Sequence, residues 1–230
     1  MIYIFDVDGT LTPSRGEMDP EFANFFEHFA THHACYLVTG SDRQKTLEQI
    51  PESIYNLFIR AYQCSGNHVF EQGKEVYRDD WKITDKQNIF LLDKLDMSPY
   101  QFKTGFHFDH RPGLCNFSIV GRNAGPMQRA DYVQFDEMLQ ERKAIAEAFN
   151  AKFKDMNATV AGETGIDITP KGKGKSQILR DFKDHTQITF FGDKTMPGGN
   201  DYDLANAIDG GTVWQVQEWT DTLQLLKLEV

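Results

Sequence analysis

The chain has 230 residues, 40% of them hydrophobic, with 18 phenylalanines and a formal net charge of −10 at pH 7. That is enough apolar material for a buried core, which argues against disorder, and the acidic balance argues against a nucleic-acid partner. No stretch reaches membrane-spanning length, the first strand signal at Ile2 leaves no room for a leader, and three scattered cysteines read as reduced buried thiols, so the expected location is the cytoplasm.

The first element is a short apolar run, Ile2-Tyr3-Ile4-Phe5, which meets Asp6-Val7-Asp8-Gly9-Thr10 and then Leu11-Thr12-Pro13. This is the pattern of a buried strand ending in a turn. Two carboxylates one residue apart beyond a strand can share a hard cation, and one of them can attack an electrophile. Asp, Gly and Thr also favour plain turns, so both readings stay open at this point. Residues 20–31 then place Phe22, Phe25, Phe26 and Phe29 at helical spacing, the stripe of a core-facing helix. A second strand is predicted over 35–38; it ends in Thr39-Gly40-Ser41-Asp42, with Asp42 placed to cap a helix over 43–50.

The middle of the chain changes character. The pattern predicts a helix over 86–95, a strand over 114–120, a long helix over 135–153 and a short strand over 165–169. In the first of these strands Cys115, Phe117 and Ile119 share one face, and Asn116 and Ser118 share the other. A half-buried sheet of this kind suits a lid over a polar cleft, or equally an ordinary wet face. The core pattern returns with a helix over 175–182, a strand over 188–191 ending in Gly192-Asp193-Lys194, the loop Gly198-Gly199-Asn200-Asp201, a helix, and a strand over 212–214. The fold class expected is α/β: a mostly parallel sheet with helices on both faces, made of 1–81 and 170–230, interrupted by an α+β insert over 82–169.

Parallel strands point the same way, so Asp6, Asp8, Thr39, Ser41 and Asp193, with Asn200 and Asp201 just beyond, should meet at one edge of the sheet. That set is suited to phosphoryl transfer. Asp6 and Asp193, with a backbone carbonyl near Asp8, offer the oxygen ligands Mg²⁺ prefers, and a cation with a lysine would let the anionic Asp6 approach an anionic phosphate. Thr39 or Ser41 would hold a phosphoryl oxygen, and Asp8 would lend and recover a proton.

In order, DVDGT, VTG, a late lysine and GDxxxxGGND resemble the four motifs of the haloacid dehalogenase superfamily. The longer runs Asp6 to Arg15 and Phe190 to Asp201, the latter containing GDKTMPGGND, resemble the eukaryotic-type phosphomannomutases. The resemblance covers nearly the whole chain. It implies a Rossmann-like core with the insert over 82–169 as a cap, Mg²⁺ dependence, an aspartyl-phosphate on Asp6, Asp8 as acid/base and Lys175 as the motif-three lysine, with Lys171 and Lys173 as solvated neighbours. It also implies that Arg111, Arg122, Arg129 and the core Arg15 grip the phosphate that is not reacting, a role guanidinium forks suit. Asn116 and Asp167 match positions on the substrate side of the cap.

Three positions depart from that pattern: Thr39 stands where these mutases carry glycine, Gly165 where they carry a serine, and Ala207 near a position that is otherwise acidic. The expected activity is interconversion of mannose 6-phosphate and mannose 1-phosphate with a hexose bisphosphate activator. Hydrolysis of a sugar phosphate is the alternative, and a non-catalytic phosphosugar-binding protein the third. The partners expected are a small phosphosugar and, through the cap, a second copy of the chain, with neither nucleic acid nor membrane.

Overall fold

A computed structural model describes residues 1–229. The first part of the chain runs β1 (Ile2–Phe5), α1 (Pro20–His32), β2 (Ala34–Val38), α2 (Arg43–Gln49), α3 (Glu52–Tyr55), β3 (Arg60–Gln63) and a hairpin of β4 (His68–Glu71) and β5 (Lys74–Arg78). A second group follows: α4 (Asp85–Met97), β6 (Phe108–Arg111), β7 (Leu114–Phe117), α5 (Pro126–Leu139), α6 (Glu141–Lys152), β8 (Met156–Ala161) and β9 (Gly165–Pro170). The chain then closes with β10 (Ile188–Gly192), α7 (Tyr202–Ala207), β11 (Thr212–Gln215) and α8 (Trp219–Lys227).

These strands form two sheets. The larger has seven strands in the order β11-β10-β1-β2-β3-β4-β5, parallel from β11 to β3 and antiparallel at the β4–β5 edge. The pleat of β1 sends Tyr3 and Phe5 to one face, against Phe22, Phe26 and Phe29 of α1, and Ile4 to the other, with Val38, Phe190 and Leu204. α1 starts where Asp19 accepts the N–H groups of Glu21 and Phe22, a cap worth about 1 kcal/mol.

The smaller sheet is antiparallel, β6-β7-β9-β8. One face is dry: Cys115, Phe117, Ile166 and Ile168 pack on Leu91 of α4, Tyr132 of α5 and Phe149 of α6. The opposite pleat carries a polar row in register, Asp109 beside Asn116, Asn116 beside Asp167, and Asp167 beside Thr159. Two chain segments join the sheets, and they are tied together. Lys173 Nζ pairs with Asp79 at 2.8 Å, Asn67 Nδ2 donates to the Lys173 carbonyl at 2.9 Å, and the Asp79 N–H donates to the Asn67 carbonyl at 2.8 Å. Lys173 is therefore a structural partner of Asp79 and not a solvated neighbour.

Three elements differ from the sequence pattern. The helix over 135–153 is two helices, broken at Gln140, whose φ of 53° is left-handed. Asp136 makes the break favourable, because its carboxylate accepts both the N–H (2.8 Å) and Nε (2.7 Å) of Arg142 and so caps the new helix. The strand over 114–120 ends its ladder at Phe117, although Ile119 and Val120 stay in the core. The segment Lys175–Asp181 is a 3-10 helix: tertiary hydrogen bonds already hold the Lys175 and Gln177 side chains, and the tighter i→i+3 turn fits those anchors.

Candidate active site

The carboxyl ends of β1, β2 and β10 open on one cleft of about 500 Å³. Asp6, at the end of β1, is only 4% exposed. Lys175 Nζ donates to Asp6 Oδ1 at 2.5 Å and to Asp201 Oδ1 at 2.6 Å, and Asp201 Oδ2 accepts the Lys194 N–H at 3.1 Å. Asp193, at the end of β10, reaches the β1 turn because Gly9 has no side chain. Gly9 sits at φ +78°, and a Cβ there would meet Asp193 Oδ2 at 2.8 Å.

One buried cation thus faces three carboxylates. Burial, reinforced by the charges of Asp201 and Asp193, raises Asp6 well above the usual carboxylate range despite Lys175, and burial with Asp201 raises Asp193. Burial works against the Lys175 charge, but Asp201 and Asp6 outweigh it and hold its pKa above the ordinary value. Asp6, Asp193 and Asp201 each offer an oxygen, all within 4.8 Å of one another. This donor set of hard oxygens, carrying surplus negative charge, is fit for a divalent cation. The sequence reading pairs Asp6 and Asp193 with a backbone carbonyl near Asp8 and keeps Asp201 as a supporting residue; the structure brings Asp201 in as a third carboxylate. The Asp8 carboxylate turns away, accepting the Arg15 N–H at 2.6 Å and Gln49 Nε2 at 3.0 Å, and Asp201 completes the cluster.

The end of β2 supplies Thr39, whose Oγ1 accepts the Ser41 N–H at 3.1 Å, and both residues line the cleft, as does Asn200. Asp42 caps α2 through the Lys45 N–H at 2.8 Å. Gln49 carried no functional signal in the sequence, since it ends a short helix. The fold buries it against the first motif, where Nε2 reaches Asp8 and Thr12.

The facing wall belongs to the smaller sheet. Asp109 accepts Arg111 Nη2 at 2.6 Å and Arg122 Nη2 at 3.1 Å, Arg122 Nη1 donates to Asn116 Oδ1 at 3.0 Å, and Asn116 Nδ2 donates to Asp167 Oδ1 at 2.7 Å. This wall touches the larger sheet at Gly40. Arg111 Nη1 donates to the Gly40 carbonyl at 2.7 Å, and Asp167 comes so close that a Cβ on Gly40 would lie 2.8 Å from its Oδ2. Arg129 is set behind the wall, buried, with its guanidinium on Glu163 (2.6 and 3.0 Å) and Thr164 (3.3 Å). Among the described residues the Arg15 guanidinium has no side-chain hydrogen-bond or ion-pair partner. Partial burial and the charges of Arg129 and Arg122 pull its pKa down to about 10, the signature of a cation short of an anion.

A parallel sheet with an acidic cluster at its carboxyl edge, roofed by a second sheet, is the architecture of haloacid dehalogenase-like phosphohydrolases. Solved structures share it. A Plasmodium falciparum IMP-nucleotidase superposes with a TM-score of 0.67 at 12% identity, covering 100% of this chain and 68% of that one. A trehalose-6-phosphate phosphatase related protein gives 0.59 at 16% identity, over 100% and 96%. A haloacid dehalogenase-like hydrolase from Bacteroides thetaiotaomicron gives 0.58 at 11% identity, over 100% and 99%. At these identities the likeness concerns the fold.

Sequence similarity is narrower. The profile of the eukaryotic phosphomannomutases matches residues 22–229, and the chain belongs to that family. The phosphomannomutase of Saccharomyces cerevisiae is 31% identical over 98% of this chain and 92% of its own. That of Spinacia oleracea is 31% identical over 89% and 86%, and phosphomannomutase 1 of Dictyostelium discoideum 31% over 98% and 94%.

Proposed function

We propose that the chain interconverts mannose 6-phosphate and mannose 1-phosphate through a phosphoryl group carried on Asp6. The observation that carries this reading is the two-ended cleft: a buried acid–lysine cluster at one end, and an arginine-bearing wall with the unpartnered Arg15 at the other. A site that only hydrolyses needs one phosphate pocket, whereas a mutase grips a second phosphate while the first reacts.

In this mechanism phospho-Asp6 gives its phosphoryl group to the free hydroxyl of the bound hexose monophosphate, and Asp8 takes the hydroxyl proton. Arg15 N–H and Gln49 Nε2 converge on Asp8 Oδ1, so Oδ2 is the atom left for that proton. The bisphosphate turns over under the cap formed by 82–169, the other phosphoryl group passes back to Asp6, and Asp8 returns the proton to the leaving oxygen. Lys175 holds the Asp6 carboxylate in place and offsets its charge. Thr39 and Ser41 hold a phosphoryl oxygen. Arg15, Arg111 and Arg122 hold the phosphate that is not reacting, with Arg129 behind them. Asp6, Asp193 and Asp201 would hold Mg²⁺, which supplies charge neutralisation at the phosphoryl oxygens when bound. A hexose bisphosphate would prime Asp6.

A second reading, hydrolysis of a sugar phosphate, draws on Thr39, which puts a threonine in the cleft lining where the mutase pattern has glycine. The two separate in one experiment: mannose 1-phosphate, Mg²⁺ and a hexose bisphosphate are supplied, and both mannose 6-phosphate and free phosphate are followed. The mutase reading expects isomer in large excess over phosphate, and phosphate release without isomer overturns it. We also propose a homodimer through the cap. Ile89, Leu92 and Met97 on α4 and the nearby Phe102 and Phe106 are exposed, and light scattering of the purified protein tests that. Among the described residues no helix is long and apolar enough to cross a membrane.

A further inference from the structure

The arginines of the cleft are not equivalent. Arg111 has Nε, Nη1 and Nη2 all bonded to protein, and so does Arg129. Arg142, which lies outside the four motifs and outside the arginines assigned above, also lines the cleft, beside Glu137 and Gly162. Its Nε donates to Asp136 at 2.7 Å, and its Nη1 to the Gly162 carbonyl at 3.0 Å and, more weakly, toward the Gly165 carbonyl at 3.5 Å. Nη2 makes no protein hydrogen bond among the described residues. Three anchors hold the planar group rigid and leave one N–H pair free, so little side-chain entropy is lost when a ligand binds.

The surroundings keep that space open. A Cβ on Gly162, whose carbonyl holds Nη1, would meet nothing within 4 Å, so this turn opens on free space. A Cβ on Gly165 would lie 2.5 Å from Asn116 Nδ2, so no side chain from that position competes for the free nitrogen. Charge decides what the nitrogen takes. Arg142 is neutralised by the buried Asp136, and the exposed Glu137 carboxylate shares the wall, so this end of the cleft has no surplus positive charge with which to hold a phosphate. Arg15 is the opposite case, a cation without a side-chain partner. A neutralised, rigid fork with a free N–H beside a carboxylate suits a neutral group rich in lone pairs, and Glu137 can accept the hydroxyl proton in turn.

We propose that Arg142 is a specificity-determining residue that reads a hydroxyl of the sugar ring through Nη2, with Asp136 as the residue that positions it. The proposal rests on the phosphosugar reading above. Arg142→Gln is expected to raise KM for mannose 1-phosphate about tenfold, the worth of one charge-assisted hydrogen bond, with kcat within about twofold. Inhibition by inorganic phosphate should be unchanged, because the phosphate grip lies elsewhere. An unaltered KM, or a parallel loss of phosphate inhibition, overturns the proposal.

Arg142 also ties α6 to the sheet, so a second measurement covers a variant that folds badly. The 2-, 3- and 4-deoxy analogues of mannose 1-phosphate are titrated into the wild-type protein and into Arg142→Lys, which can keep the pair with Asp136 but loses the fork. One analogue should bind the wild type about tenfold more weakly than the parent sugar, and the lysine variant should bind the parent and that analogue alike. Equal binding of all three analogues to the wild type, or equal losses for the parent and every analogue in the variant, overturns it. A wild-type protein that does not bind mannose 1-phosphate would instead remove the phosphosugar reading itself.

Discussion

The two sheets put chemistry in different places. The centre of the seven-stranded sheet is covered on both faces, with Phe22, Phe26 and Phe29 on one side and Leu179, Phe182 and Leu204 on the other, and Asp6, Thr39 and Asp193 gather at its carboxyl edge. The four-stranded sheet is covered on one face, and its polar groups form a row across the other. An edge holds a few groups where several chain turns converge, which suits a buried nucleophile and its counter-charge. A face offers a broader ladder of donors and acceptors, which suits recognition of a whole ligand. The proposed function assigns reaction and selection to these separate cores, which two short segments join.

The edge should be the more fragile of the two. Asp6→Asn is expected to reduce turnover by about a thousandfold or more while the circular dichroism spectrum stays unchanged, since Asp201 still partners Lys175. Substantial remaining activity in that variant would remove the covalent mechanism. Lys175→Met strips the counter-charge that pairs with buried Asp6 and Asp201, and a loss of about 3–5 kcal/mol in urea unfolding is expected. A loss below about 1 kcal/mol would mean that the cluster already shares its charge with protons or ions.

The seam between the sheets gives a smaller effect. Gly40→Ala pushes a methyl group against Asp167 and disturbs the Arg111 contact, so KM should rise about fivefold with little change in the unfolding midpoint. An unchanged KM would mean that the cap need not approach Gly40 for the substrate to bind.

The smallest effect compares the two cores directly. Cys35 and Cys64 lie in the larger unit and Cys115 in the smaller, and burial pushes all three thiols up to about 12 from an ordinary 9.0. A raised thiol favours its neutral form in the folded state. The stability it contributes is therefore full below pH 9.0 and is lost as pH rises toward about 12. A disulfide exchange reagent at pH 8 should find no reactive thiol in the folded protein. In mild denaturant the thiol that reacts first reports which core opens first, and simultaneous reaction of all three would show that the two cores unfold as one.

Much of the larger unit is legible in the sequence because its signals are local. The runs at Ile2, Cys35 and Ile188 are continuous and apolar, as strands buried on both faces must be, and each ends in Gly-rich polar turns. The smaller unit is less legible. β6, with the sequence Phe-Asp-His-Arg, is part polar and has no apolar run to announce it, and the break at Gln140 uses a left-handed residue that is neither Gly nor Asn. The β4–β5 hairpin and β8 escape for a similar reason, being short and half-exposed. Gln49 and Arg142 escape because their roles depend on neighbours that only folding brings together, Asp8 and Thr12 for the one and the Gly162 carbonyl and the cleft for the other.

By itself the sequence determined the fold class, the family resemblance and the order of the motifs, since strand signals and turn chemistry depend on neighbours a few residues apart. Only the tertiary structure decided that Asp201 joins Asp6 and Asp193 while the Asp8 carboxylate turns to Arg15 and Gln49. It also decided that Arg129 is spent on Glu163 while Arg142 keeps a free nitrogen at the cleft. Those choices turn on which of several nearby partners a charged side chain meets, and that is set by how the elements pack against one another.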